Sequence, residues 1–190
     1  LQLPIKIKSF ETIYNEHTSE NLWLGIYFGA SLLIVLFLSF LWLLSRDKVY
    51  IYFMLHTISL AIINIYLKGF ANVLFWGDIT LITLSQPSVF ALSLFAPAFA
   101  IVFLETSTKH QKIHRLLVAS ILATVLVFPI DIMGFHQTAH QLVKALIFIS
   151  SILMIVAGFA AYKKGFKPAR LFIAGRVIFL VFLILNILQR

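Results

Sequence analysis

Two pairs of histidines stand four residues apart, His110 with His114 and His136 with His140. On a helix that spacing puts both imidazoles on one face, the arrangement from which membrane desaturases and hydroxylases build their iron centres. Topology counts against that chemistry here. The apolar run 116–133 lies between the pairs, which sets them about 30 Å apart on opposite sides of a bilayer. Neither pair has a third ligand at close spacing, so no metal and no other cofactor is expected. The absence of cysteine excludes disulfides, a thiol nucleophile and thiolate-bound metals. Gly29-Ala30-Ser31 shares a small-residue and serine pattern with intramembrane proteases, but Ser31 has no credible histidine partner. No catalytic residue is assigned, and the segment is not expected to be an enzyme.

Ionisable residues inside apolar runs are the next candidates, because a charge in hydrocarbon is costly and is kept where it is used. His56 sits about two turns into the second run and is expected to be neutral and hydrogen-bonded. Arg176 lies about 9 Å beyond the preceding basic loop at about 1.5 Å per residue, and is expected to snorkel back or to pair with a packing partner. Asp131 ends the fourth run and Lys144 opens the fifth, with His140 beside it. Asn64, Gln86, Asp131, His140 and Lys144, with Ser88, approach one side of the membrane. They are the candidate lining of an outward-facing polar pocket for an extracytoplasmic ligand. An ordinary polar rim accounts for the same residues.

The elements that position these groups are apolar segments. With 61% apolar and 12% charged residues among 190, the chain has too little polar surface for a soluble domain of this size. Six runs, at about 22–44, 49–67, 84–104, 116–133, 141–162 and 171–189, approach the roughly 20 residues that cross about 30 Å of hydrocarbon. The chain reads as an all-α membrane protein, a polytopic transmembrane helix bundle with six spans visible. The two three-span halves share no loop lengths or proline positions, which argues against an inverted-repeat transporter. Gly25 and Gly29 form a GxxxG pattern in the first run, expected to serve helix packing, within the chain or between two copies. Pro87, Pro97 and Pro129 are expected to kink the third and fourth spans.

The net charge of +8 is positional and does not point to nucleic acid. Arg46, Lys48, Lys109, Lys112, Arg115, Lys163, Lys164, Lys167 and Arg170 are nine of the 15 basic residues, and they fall in three alternate short connections. Such loops stay in the cytoplasm, so the N-terminus is expected outside. Residues 1–8 alternate apolar and polar types as a strand does. They are read as the end of an extracytoplasmic domain, joined through a polar linker at 11–21 to the bundle at 22–190. A chain cut from a longer protein is the expectation.

The run Gly25-Ile26-Tyr27-Phe28-Gly29, then Ser45-Arg46-Asp47-Lys48-Val49-Tyr50-Ile51-Tyr52, Lys68-Gly69-Phe70, Leu74-Phe75-Trp76, Phe103-Leu104 and Lys167-Pro168-Ala169-Arg170 resembles the bacterial seven-transmembrane receptors with diverse intracellular signalling modules. The resemblance covers the whole chain. It implies a periplasmic jelly-roll sensor domain ahead of the first span, and a seventh span after the sixth. It also implies a cytoplasmic output in cis, a diguanylate cyclase or a histidine kinase, working as a homodimer in the bacterial inner membrane. The family's usual Tyr-Asn pair in the first span stands here as Phe37-Leu38, a departure that removes both polar groups. The expected function is therefore the signal-transducing membrane region of a receptor, with a small transporter or channel as the alternative.

Overall fold

A computed structural model describes residues 10–67 and 79–188, and those residues are helical apart from short connections, with no strand among them. The helices are α1 (Phe10–Ser45), α2 (Lys48–Leu67), α3 (Ile79–Phe103), the short α4 (Thr106–Lys109), α5 (Gln111–Ile132), α6 (His136–Lys163) and α7 (Ala169–Leu188). Apolar sequence in hydrocarbon has this outcome because a helix satisfies every backbone polar group within itself. The strand expected at 1–8 lies outside the described residues, and the linker expected at 11–21 is part of α1.

Four helical segments are long and apolar enough to span a membrane, Asn21–Ser45, Lys48–Ile65, Gln111–Ile132 and His136–Lys163, and Pro87–Phe103 is a shorter apolar one. The expected count of six spans is thus reached for four among the described residues. Lipid-facing bulk is carried by side chains such as Leu33, Leu126, Leu171 and Val181, which are exposed, so the chain is a multi-pass membrane protein with a surface suited to bilayer contact.

Turn chemistry sets the up-and-down order. Arg46 closes α1 in the left-handed region with φ 56°, and the Asp47 carboxylate then caps α2 by accepting from the Val49 N–H at 3.0 Å. Helices α5 and α6 each end on a glycine with positive φ, Gly134 at 92° and Gly165 at 90°, a conformation that costs glycine little. In both the next N–H reaches back five residues, Phe135 to Ile130 at 3.2 Å and Phe166 to Ala161 at 3.1 Å, which is the Schellman closure.

These turns produce two packed layers. At the end with the basic loops, Phe99, Leu104, Leu117, Met154, Ala157, Ala161, Ala169 and Phe172 form one core, with Val49, Phe53 and Phe166 against it. Near the opposite end Phe90, Leu92, Val127, Ala139, Val143 and Ile147 form another, with Leu60, Ile63, Phe179 and Leu183 against it. Among the described residues helix α1 packs on α2 alone, and α7 lies along α6 with its backbone apart from α2.

Gly25 and Gly29 do not make the close approach within the chain that the GxxxG pattern predicts. A Cβ added at either would meet nothing within 4 Å, whereas one at Gly158 would stand 2.7 Å from Ile173 Cγ1. The tight seam is α6 on α7, and it uses Ala157, Gly158 and Ala161, all buried. Their small-residue spacing of four was the available signal.

Candidate functional site

The space left between α2 and α7 is a cavity of about 1480 Å³. Its walls come from α1, α2, α3, α6 and α7, and it reaches from Val49 and Pro168 at the basic end to Asn64, His136 and Lys144 at the opposite end. Leu60, Ile63, Leu92, Phe99, Ile147, Phe179 and Leu183 make most of its lining apolar. A stack of rings floors it, Phe53 on Phe99 at 4.9 Å and Phe99 on Phe103 at 5.3 Å between centroids, with Phe172 joining Phe103 at 5.8 Å.

Three of the five residues chosen from sequence, Asn64, His140 and Lys144, share this lining. Asn64 donates through Nδ2 to the Tyr27 hydroxyl at 3.1 Å and to the Leu60 carbonyl at 2.9 Å, which fastens α1 to α2 at the rim. Asp131 is not in the lining. It holds His136, which is, through a contact of 2.8 Å between Oδ1 and Nδ1. Gln86 is on α3 with its side chain outside the described residues. Asp131 stands in the last turn of α5, and His136 and His140 in the first turns of α6. The connection between the helices is therefore shorter than the polar loop expected there.

The first histidine pair is elsewhere. His114 faces Thr106, with 3.4 Å between Nδ1 and Oγ1, at the α4–α5 corner. Among the described residues no group of three or more His, Cys, Asp or Glu side chains is placed to hold a metal ion.

His56 and Arg176 line the cavity deeper in, and both are 6% exposed. The Arg176 guanidinium does not snorkel out. It lies over the Phe172 and Phe179 rings, 5.6 and 6.0 Å from their centroids. Nδ1 of His56 has no hydrogen-bond partner among the described residues, so the hydrogen bonding expected at this position is absent from that nitrogen. Buried hydroxyls behave differently. Ser59, Ser120, Ser150 and Ser151 return to carbonyls of their own helices at 2.7–3.0 Å, and Ser93 bonds Thr124 across α3 and α5 at 2.9 Å.

A bundle of apolar helices around a cavity with a few inward polar groups is the architecture of a membrane sensor or transporter domain. Comparison with known families supports the first. The family model described as 7TM diverse intracellular signalling matches residues 20–190, so the chain belongs to that family and is a transmembrane sensory region of a signalling receptor. No curated protein and no solved structure matches it.

Proposed function

We propose that this bundle passes an extracytoplasmic signal to a cytoplasmic output domain in cis, a diguanylate cyclase or a histidine kinase, and that the segment itself catalyses nothing. Its membrane is the bacterial inner membrane, its N-terminus faces out, and the receptor works as a homodimer. The observation that carries this reading is the cavity, which separates α7 from α2 along the length of the bundle and has polar groups at its outer rim. In this reading the helices on either side of that seam have a second arrangement besides the one described. A ligand moves the balance only by preferring one of them. The orientation is supported by the basic residues Arg46, Lys48, Lys112, Arg115, Lys163, Lys164, Lys167 and Arg170, all exposed.

In a full-length receptor, Asp131→Ala and Lys144→Ala together are expected to lower the stimulated output at least about fivefold, the lower end of usual coupling between sites. An undiminished response in that double variant would remove the rim from the mechanism. The reach of the cavity from one end of the bundle to the other favours a small transporter or channel as the second reading. That reading requires solute or ion flux through the chain in liposomes.

A further inference from the structure

Arg176 and His56 occupy one depth. His56 is eight residues beyond Lys48 on α2 and Arg176 seven beyond Ala169 on α7, and both helices start from the basic end, so each lies about 10–12 Å in at about 1.5 Å per residue. No hydrogen bond or ion pair reaches Arg176 from the described residues, and Nδ1 of His56 is equally without a partner. Stacking on two rings returns only part of the cost of holding a guanidinium away from water. No Asp or Glu is among the described residues that line the cavity, while Lys144 and His140 stand at its other end. Among the described residues of the lining, the charged side chains are basic.

We propose that the cavity binds a single-tailed amphiphile whose carboxylate pairs with the Arg176 guanidinium and bonds the His56 ring, with its chain along Leu60, Leu92, Ile178 and Leu183. The planar guanidinium matches a carboxylate through two parallel N–H···O bonds. One cation balances one negative charge, which favours a monocarboxylate over a phosphate dianion. The remaining wall is aliphatic and aromatic, so a short hydrophilic anion would leave most of it unfilled. The proposal shares its cavity with the receptor reading and rests on that cavity being a ligand site. It does not depend on the output domain.

The test is binding of labelled oleate to the purified 190-residue chain in a non-ionic detergent. Saturable binding is expected, competed by unlabelled oleate and at least about tenfold less well by oleyl alcohol, which lacks the charge, and by hexanoate, which lacks the chain. Arg176→Gln is expected to weaken binding at least about tenfold, a loss of the size expected for a buried charged hydrogen bond, with Arg176→Lys between. Gly175 lines the cavity and has open space at its Cβ, so Gly175→Leu is expected to block the site with Arg176 in place. It decides the question if Arg176→Gln does not purify as a monodisperse protein. Absence of saturable binding, equal competition by oleyl alcohol, or wild-type affinity in a well-folded Arg176→Gln would overturn the site. Binding that persists while the full-length receptor fails to signal counts against the receptor reading alone. Signalling without binding counts against this site alone.

Discussion

Asp131 and His136 meet across the turn between α5 and α6, with 2.8 Å between Oδ1 and Nδ1, the carboxylate 13% and the imidazole 62% exposed. The contact bridges the residues on either side of Gly134, whose positive φ makes the turn. It ties the end of α5 to the first turn of α6, the helix that carries His140 and Lys144 at the cavity rim.

Because the imidazole is mostly in solvent, Asp131→Asn is expected to cost only about 0.2–1 kcal/mol. Thermal unfolding of the detergent-solubilised chain at low and high salt measures it. An effect that shrinks with salt marks an ion pair, and one that persists marks a hydrogen bond. A loss well beyond this range would mean that the turn depends on Asp131 for more than this contact.

Gly158 and Gly25 offer a controlled comparison. A side chain at Gly158 would collide with Ile173 and Phe172, where one at Gly25 meets open space. Gly158→Leu is expected to destabilise the fold by about 1–3 kcal/mol through overpacking, and Gly25→Leu to lie within about 0.5 kcal/mol of the parent. Chemical unfolding of the monomeric protein ranks them, and the reverse order would contradict the α6–α7 seam. A Gly25→Leu protein that is stable as a monomer but no longer pairs would place that face in a dimer contact.

Ser93 and Thr124 are 2% and 0% exposed and join α3 to α5 by a hydrogen bond of 2.9 Å. The Thr124 hydroxyl also donates to the Ser120 carbonyl at 3.0 Å, which leaves Ser93 as the donor of the interhelical bond. A double-mutant cycle with Ser93→Ala and Thr124→Val should give a coupling of about 0.6 kcal/mol, and not above about 1.7, as for other hydroxyl pairs between membrane helices. Coupling indistinguishable from zero would assign both hydroxyls to their own helices.

The sequence carried the helical class and the alternation of basic loops, because apolar length and charge position are local properties that folding does not rearrange. The cap at Asp47 and the reversals at Gly134 and Gly165 follow from local chemistry as well. Which helices touch was not local. Gly25 and Gly29 match a packing motif and meet no partner among the described residues of the same chain, because a small residue permits a close approach without supplying the partner. Asn64, His140 and Lys144 were drawn together by shared membrane side alone. The same reasoning treated Asp131 as an equal member of the lining, where it acts through His136. His56 and Arg176 were visible singly as intramembrane ionisable residues. Their shared cavity follows from the gap between α2 and α7, which no periodicity records.

Helix α1 is unbroken and free of proline from Phe10 to Ser45, and its 36 residues span about 54 Å at about 1.5 Å each, against about 30 Å of hydrocarbon. Among the described residues it leans on α2 and on no other helix. A rod longer than the barrier it crosses, held along one edge, is a mechanical arm. A push or twist applied near Phe10 arrives at the Arg46–Asp47 turn without the slack of a loop, and α2 takes the load first. In the orientation proposed above, a load from outside would therefore bear first on the wall of the cavity that α2 supplies.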